Sequence, residues 1–334
     1  MKKPLFNYKI KGIRQPMISD NGVVLDNKLF FAVKYDKGGF YESQLIAVDL
    51  DTGAENIILV VPHVIRNTVL FDNEYLYINS FNAILYCIDY LNLSIKWECK
   101  FGDRNPDWHI GVTDKSILAF NGELFNIDKS TGNVLWTYQH PSNHSSCHIL
   151  VKEDFIYHGL SDGYFYCFDL IKQKIKWTFG ENLYFKSAAF LLDTLIIVCA
   201  TNGVVYVLES SSGREITNFD TGGAIYREPI IKDNKIFIGN DFGMVYCLEF
   251  VTEKSKINKI WEYKASDTIS SRVVILNSFV YLSSEDNYFY KLDMTSGDEI
   301  FKEKVVSYAR DILFTGDKMI LLSDKGQVDC YSAV

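Results

Sequence analysis

A unit of forty residues recurs along the whole chain, and this repeat constrains the fold more than any other feature of the sequence. Each copy ends a short apolar run on an acidic position before a polar turn, as in LIAVDLDTG at Asp49 and FYKLDMTSG at Asp293. This position recurs at residues 49, 89, 128, 169, 209, 249 and 293, and Ser332 takes it in the last copy. The successive separations are 40, 39, 41, 40, 40, 44 and 39 residues, which gives eight copies. A period of this length is typical of a solenoid, an array or a propeller.

The content of each copy favours a propeller. A copy contains apolar runs such as KIFIG (235–239), MVYCLEF (244–250) and IWEYK (260–264), separated by turns that carry Asn, Asp or Gly. Runs of β-branched and aromatic residues between turn formers are typical of strands, and no helical stripe of useful length occurs. Short strands at even spacing predict four-stranded antiparallel blades around an axis. We therefore expect an all-β chain, one eight-bladed β-propeller domain over residues 1–334.

An aromatic residue follows the acidic position in most copies and is expected to dock each blade on its neighbour. It lies eight residues later at Trp97, Trp136, Trp177 and Phe301, and a four-residue insertion delays it to Trp261. Burying a Trp removes about 150–250 Å² of surface from water, which suits such a contact. Copies one and five have Ile57 and Thr217 at this position, so weaker contacts are expected there.

The last copy stops before its aromatic strand, and the N-terminus offers a replacement. The segment LFNYKIKG (5–12) matches IWEYKASD (260–267), with Phe6 in the place of Trp261 and Tyr8 in the place of Tyr263. We expect the N-terminal strand to complete the eighth blade and close the ring. Closure matters because an open ring leaves unpaired strand edges, which promote aggregation.

The repeat resembles that of a known family. The segment NIDKSTGNVLW (126–136) is similar to the repeat of pyrroloquinoline-quinone-type propellers, which runs Ala-x-Asp, two residues, Thr-Gly, three residues, Trp. The resemblance implies an eight-bladed propeller and leaves the function open, because one architecture hosts many functions. Quinoprotein dehydrogenases of this type hold quinone and calcium in the axial funnel, but they are longer and usually carry a vicinal cysteine pair that this chain lacks. BamB-like lipoproteins have a comparable length and no cofactor, but they carry an export signal and a lipid-attached cysteine that are missing here.

Composition excludes some function classes. The net charge of −8 argues against a general nucleic-acid binder, because binding to phosphates needs a basic surface. The N-terminus lacks the apolar run of a signal peptide, and no stretch is long and apolar enough to span a membrane. The 7 cysteines include no Cys-x-x-Cys pair, which favours free thiols in a reducing compartment. A cytoplasmic location is expected.

The residues just before the first strand of each blade should form a ring around the axis, and this ring is basic. Its second column reads Arg14, Arg66, Trp108, Ser146, Lys186, Arg227, Ser270 and Arg310, so five of eight residues are basic. Its third column contains no aliphatic residue and reads Gln15, Asn67, His109, Cys147, Ser187, Glu228, Ser271 and Asp311. Arginine offers a rigid donor fork for carboxylate or phosphate, which predicts an anion-receiving rim. The predicted binding residues are Arg14, Arg66, Trp108, His109, Lys186, Arg227, Glu228, Arg310 and Asp311.

Two other interpretations of the rim remain open. In the first, the arginines tie blades together by pairing with Glu228, Asp311 and backbone carbonyls. The segment HPSNHSSCH (140–148) joins the third copy to the fourth, and His109, His144 and Cys147 offer ligands that zinc accepts. His144-x-x-Cys147 has no paired partner motif, so a hydrogen-bonding or exposed loop histidine is the alternative. No metal and no cofactor is predicted.

Two further columns have structural interpretations. Cys87, Cys167, Cys247 and Cys330 share a position two residues before the acidic position, where a buried thiol packs as a small apolar group. The acidic residues precede turns, so Asp49, Asp128 and Asp293 are expected to accept backbone hydrogen bonds. No catalytic motif with a specific spacing is found. No catalytic residue is therefore predicted.

The sequence predicts a non-enzymatic protein-binding module, an adaptor or an immunity-type inhibitor, whose funnel face and basic ring bind an acidic partner surface. Trp108 and Tyr226 are the expected aromatic anchors. The alternative is a small-molecule receptor or a quinone-dependent oxidoreductase with an anionic ligand in the funnel. In that case Trp108 stacks on the ligand while Arg66 and Arg227 hold its carboxylates. A purely structural repeat is the third interpretation.

Overall fold

The computed structural model describes residues 4–10, 16–18, 21–65, 69–103, 110–141 and 147–332. The chain divides into two compact units, residues 1–137 with 309–334, and residues 138–308. Each unit is described by itself. The predicted all-β fold of eight antiparallel blades in a propeller is confirmed. No helix of the described part of the chain is long and apolar enough to cross a membrane.

The first unit contains blades 8, 1, 2 and 3. The strands of blade 1 are β2 (Met17–Ile18), β3 (Val23–Leu25), β4 (Lys28–Asp36), β5 (Tyr41–Asp49) and β6 (Glu55–Val61). Those of blade 2 are β7 (Leu70–Asp72), β8 (Tyr75–Ser80), β9 (Ile84–Asp89) and β10 (Ser94–Lys100). Those of blade 3 are β11 (Ile110–Val112), β12 (Ser116–Phe120), β13 (Glu123–Asp128) and β14 (Val134–Gln139). Those of blade 8 are β31 (Ala309–Thr315), β32 (Lys318–Ser323), β33 (Gln327–Ser332) and β1 (Phe6–Lys9). Blade 1 divides its first-strand position between β2 and β3, which both pair with β4.

The second unit contains blades 4 to 7. Blade 4 has β15 (Leu150–Lys152), β16 (Phe155–Gly159), β17 (Phe165–Asp169) and β18 (Lys174–Phe179). Blade 5 has β19 (Phe190–Leu192), β20 (Leu195–Cys199), β21 (Val204–Glu209) and β22 (Glu215–Asp220). Blade 6 has β23 (Ile230–Lys232), β24 (Lys235–Gly239), β25 (Met244–Val251), a 3₁₀ turn (Thr252–Lys254) and β26 (Lys256–Lys264). Blade 7 has β27 (Val274–Leu276), β28 (Phe279–Ser284), β29 (Tyr288–Asp293) and β30 (Glu299–Lys304).

The N-terminal strand completes the eighth blade, as predicted. Strand β1 pairs antiparallel with β33, with Phe6 opposite Cys330 and Tyr8 opposite Val328. Tyr8 is buried in a cluster that joins blades 8 and 1 and includes Phe31. The first and last strands of the described chain are thus held in one sheet.

The acidic residues of the repeat accept backbone hydrogen bonds from the turns that follow them, as predicted. One carboxylate oxygen of Asp128 accepts the backbone N–H groups of Ser130 at 3.0 Å and Thr131 at 2.8 Å. Asp49 and Asp293 bond their turns in the same way. These hydrogen bonds hold the pKa of Asp128 below its ordinary value, the hydroxyl of Ser130 having the largest effect. The glycine that ends each of these turns has a positive φ.

Three tryptophans dock their blades on the turn of the following blade. The indole N–H of Trp97 donates to the carbonyl of Lys129, and its ring lies against Gly132. Trp177 has the same relation to Ser210 and Gly213, and Trp261 has it to Met294 and Gly297. A Cβ added to Gly213 would lie 2.4 Å from the ring of Trp177. The repeat therefore joins its glycine and its tryptophan across two successive copies.

The cysteines are packing residues, as predicted. All seven are free and buried, and Cys87, Cys167 and Cys247 lie opposite the docking tryptophans in the strand register. A β-bulge beside each of these pairs sets which residue faces the cysteine. A small apolar side chain leaves room for the indole at this point.

Candidate functional site

The predicted rim residues fall into three groups. Arg14, Arg66, Trp108 and His109 lie outside the described residues. Lys186, Arg227 and Glu228 belong to the second unit, and Arg310 and Asp311 belong to the first. The binding role of all nine residues stays a prediction.

Topology brings the rim residues of the second unit to one end of their blades. In each blade the first strand is the edge strand of the sheet order, and the loop from the preceding blade leads into it. Lys186 precedes β19 in this way, and Arg227 and Glu228 precede β23. The turn between the second and third strands returns to the same end, because neighbouring strands are antiparallel. Loops and turns together form the loop face of these blades.

Glu228 is the centre of a charged cluster in this unit. Its Oε1 lies 3.5 Å from Nε2 of His148, and both side chains are mostly buried. Burial by itself raises the pKa of Glu228, but the charges of His148, Arg272 and Arg227 outweigh it and lower that pKa below its ordinary value. The carboxylate is therefore ionised at neutral pH. Arg227 and Arg272 carry two positive charges against the one negative charge of Glu228, so this part of the rim is positive.

Arg227 and Lys186 differ in how they are held. The Nε–H of Arg227 donates to the carbonyl oxygen of Ser270 at 2.8 Å, so this arginine ties blade 6 to blade 7. For Arg227, the contact is of the kind expected if the rim arginines tie neighbouring blades together. Lys186 is exposed, and its Nζ lies 5.4 Å from the ring centre of Tyr226, which is 47% exposed. This distance fits a cation–π contact, so Lys186 and Tyr226 present a joint surface.

The rim residues of the first unit are buried deeper. Asp311 is fully buried, and its Oδ2 accepts the backbone N–H of Gly22 at 3.2 Å, which ties blade 8 to blade 1. Arg310 is partly buried, and its Nε has no hydrogen-bond partner among the described residues. Asp311 thus holds two blades together in addition to any contact with a partner.

The histidine-rich segment is largely structural where it is described. His140 packs its ring 4.6 Å from Tyr166 and 5.2 Å from His158, and burial lowers its pKa to about 4. Cys147 is buried, its sulfur accepts the Gly159 N–H at 2.9 Å, and burial raises the pKa of this thiol to about 12. His109 and His144 lie outside the described residues.

Two residues of the Glu228 cluster were missed by the sequence columns. His148 and Arg272 both stand in the fourth column of the aligned rim segments, one place after the column read as polar. His148, Glu228 and Arg272 each stand two residues before the first strand of their blade, so the aligned columns place copies four and seven one residue out of register with copy six. A one-residue shift of these two copies in the alignment would have placed both residues in the third column, beside Glu228.

The family comparison matches the C-terminal part of the chain. Residues 200–333 match the family model described as "Outer membrane protein assembly factor BamB". A curated relative, the beta-alanine-activating enzyme of Danio rerio, is 30% identical over 127 residues, which are 36% of this chain and 11% of that protein. The chain thus matches about a tenth of the length of this relative.

Solved structures match over nearly the whole chain. BamB from Moraxella catarrhalis covers 99% of this chain and 99% of its own at 13% identity, with a TM-score of 0.72. Sqt1 of Chaetomium thermophilum, bound to the N-terminus of the ribosomal protein L10, covers 97% and 98% at 10% identity, with a TM-score of 0.76. The family match confirms the resemblance carried by the repeats over residues 200–333, and the solved structures match the propeller fold of the chain.

Proposed function

We propose that this chain is a non-enzymatic protein-binding module that presents its loop face and basic rim to an acidic surface of a partner protein. An adaptor or an immunity-type inhibitor would work in this way, since each needs a rigid surface and no chemistry. The observation that carries the proposal is the exposed pair of Lys186 and Tyr226 beside the Glu228 cluster. The cation binds a carboxylate of the partner, and the aromatic ring binds an apolar group next to that carboxylate.

Two further aromatic residues, Tyr184 and Phe242, are exposed on loops of the same two blades as Tyr226. Tyr184 is 52% exposed, Tyr226 47% and Phe242 61%, and each stands on a different loop of blades 5 and 6. Aromatic residues and arginine are enriched at the centres of protein interfaces and carry much of their binding energy. Apolar area left in water on three neighbouring loops therefore favours a protein partner.

The three loops are fixed before any partner binds. The carbonyl of Tyr184 accepts the N–H of Thr201 at 2.8 Å, and the N–H of Thr221 donates to Gly203 at 2.9 Å. The N–H of Asp241 donates to the carbonyl of Ala224 at 3.0 Å. A surface already held in its bound form loses less conformational entropy on association. This rigidity supports a specific partner.

The comparisons support a protein partner in general terms. The matching Sqt1 structure contains the N-terminus of a ribosomal protein. A propeller of this size thus presents a surface on which a protein segment docks, although fold alone does not carry a function to this chain. The acidic nature of the partner rests on Lys186, Arg227 and Arg272 alone.

The sharpest test changes Lys186, because its exposed side chain stands on the loop that precedes β19, outside the strands. The full chain is used as bait in cells that express it naturally, as wild type, as Lys186→Ala with Tyr226→Ala, and as Lys254→Ala. Lys254 is an exposed lysine of the 3₁₀ turn at the other end of blade 6 and serves as the matched control. We expect the double variant to lose a partner that wild type and Lys254→Ala retain. Recovery of the same partners by all three would contradict the rim proposal.

The absence of catalysis and the cytoplasmic location are part of the proposal. All seven cysteines are buried and unbonded, which suits a reducing compartment. The opposing hypothesis is a receptor or oxidoreductase with a quinone in the funnel. Absorbance and native mass spectrometry of the protein purified from its own cells decide between them. A bound quinone or stoichiometric calcium would overturn the non-enzyme proposal.

A further inference from the structure

One hairpin of blade 1 extends beyond the strands on both sides of it. Strands β4 and β5 have nine residues each, whereas the second strands of blades 2 to 8 have five or six. Strand β2 pairs with β4 no further than Lys34, and β6 pairs with β5 no further than Ser43, among the residues that the structure describes. Residues 35–42 therefore form a two-stranded ribbon beyond this pairing, which we call the blade 1 finger. Tyr35 at its base is buried, and residues 36–41 are exposed.

The finger is held by its own side chains. The hydroxyl of Tyr35 donates to Glu42, whose other oxygen lies 2.9 Å from Nζ of Lys37, and Gln44 donates to the Tyr35 oxygen at 3.1 Å. The hydrogen bond from Tyr35 is the largest of the effects that lower the pKa of Glu42. A two-stranded hairpin alone is marginally stable in water, so this network gives the finger a defined shape.

The tip of the finger is also ordered, and it turns an aromatic side chain into solvent. The N–H of Gly39 donates to Asp36 at 2.7 Å, and the N–H of Lys37 donates to the carbonyl of Phe40 at 2.7 Å. Phe40 is 79% exposed, and the adjoining Tyr41 is 52% exposed. The exposed ring contributes almost no burial to the fold, although the backbone beneath it is fixed by specific hydrogen bonds.

We propose that the blade 1 finger is a docking element that inserts Phe40 into an apolar pocket of a partner protein. The charges of the finger indicate which charge the rim of that pocket carries. Asp36 and Glu42 carry two negative charges against one positive charge on Lys37, so the finger has a net charge of −1. A pocket with a basic rim complements this charge, whereas an anionic membrane surface repels it. The contact goes beyond the basic rim of blades 4 to 7 and does not depend on it.

Site-specific photo-cross-linking tests the finger in the full chain. The photoreactive residue p-benzoylphenylalanine replaces Phe40 in one version and Ile171 in the other. Ile171 is 72% exposed in a turn of blade 4 and is the matched control. We expect a discrete protein adduct at position 40 that is missing at position 171, mapped to an apolar pocket with Lys or Arg at its edge. Adducts with lipid only, the same adducts at both positions, or no adduct at all would overturn the proposal.

A binding measurement with the cross-linked partner completes the test. Phe40→Ser should lower the affinity for that purified partner by at least about 30-fold, as expected for a central aromatic anchor. Phe40→Leu should keep most of the affinity, and both variants should unfold at the wild-type temperature because the ring does not contribute to the core. Unchanged affinity in Phe40→Ser would overturn the proposal that the finger docks through Phe40. The rim variant Lys186→Ala, measured with the same partner, shows separately whether the rim also contributes.

Discussion

The junction between blades 4 and 5 and the junction between blades 5 and 6 join copies of one repeat in different ways. At the first junction Trp177 is buried against Gly213 and bonds the carbonyl of Ser210. At the second junction Thr217 takes the place of the tryptophan. There the longer strands β25 and β26 bring Phe250 into an apolar cluster with residues of blade 5, and β26 packs along β22.

The difference shows that a missing tryptophan is replaced by an insertion elsewhere. Phe250 and Ile257 are 6% and 5% exposed, and both belong to the hairpin that makes the sixth copy longer than the others. Their cluster also contains Ile216, the neighbour of Thr217. The separation of 44 residues between Glu249 and Asp293 thus has a packing reason. Thr217 alone predicts a weaker junction, but the inserted hairpin supplies other apolar contacts.

The largest expected effect distinguishes the two junctions at the tryptophan position. Trp177→Ala removes a buried ring and a hydrogen bond, so it should lower the free energy of unfolding by about 4 kcal/mol. Thr217→Ala at the equivalent position should cost less than about 0.5 kcal/mol, because this side chain is partly exposed. Urea denaturation followed by tryptophan fluorescence and by circular dichroism measures both. Equal losses would mean that the two positions have the same role.

The second effect tests whether the inserted hairpin stabilises the junction between blades 5 and 6 in place of the missing tryptophan. Phe250→Ala should cost about 3 kcal/mol, since it leaves a cavity in the cluster shared by blades 5 and 6. Phe40→Ala is the matched control, because the same ring is deleted from a side chain that is 79% exposed. A change within about 0.5 kcal/mol is expected for it. If Phe250→Ala were as mild as Phe40→Ala, the hairpin would not stabilise the junction.

Sequence reasoning predicted what depends on local spacing and failed where the path of the chain decides. The turn at Asp128 and the strand that carries Tyr8 follow from residues a few positions apart within a repeat. The packing of Phe250 into one apolar cluster with Ile216 depends on the direction that an insertion takes in space, which spacing does not determine. The rim shows the same limit. Lys186 lies in its predicted loop, while the interactions of Arg272 with Glu228 required coordinates.

The third effect tests the contact between glycine and tryptophan with two turns of the same conformation. Gly213 has a φ of +73° and Gly53 a φ of +70°, but only Gly213 has a ring against it, and a Cβ at Gly53 would meet nothing within 4 Å. Gly53→Ala should cost about 1 kcal/mol for the left-handed backbone alone. Gly213→Ala should cost about 3 kcal/mol, because the methyl group also displaces the indole.

A double variant shows whether the extra cost at Gly213 comes from the ring. In a Trp177→Ala background the methyl group of Gly213→Ala meets no indole, so its cost should fall to that of Gly53→Ala. The difference is the coupling energy of the contact, measured by a double-mutant cycle. Additive losses would place the cost in the backbone and would remove the reason for pairing this glycine with the tryptophan.

The smallest effect concerns the turn on which Trp177 docks, and it depends on pH. The hydroxyl of Ser212 donates to the carboxylate of Glu209, and this hydrogen bond is the main cause of a pKa below the ordinary value of Glu209. A lowered pKa in the folded state stabilises the fold above the pKa of the unfolded chain, and this stabilisation is lost as the pH falls through the folded-state pKa. Glu209→Gln should therefore be slightly less stable than wild type at pH 7, and the difference should disappear in acid. Ser212→Ala should show the same pH dependence, because it removes the same hydrogen bond. A difference that persists below the folded-state pKa would mean that Glu209 stabilises the turn by packing, and the charge would then have no part in holding the glycine under Trp177.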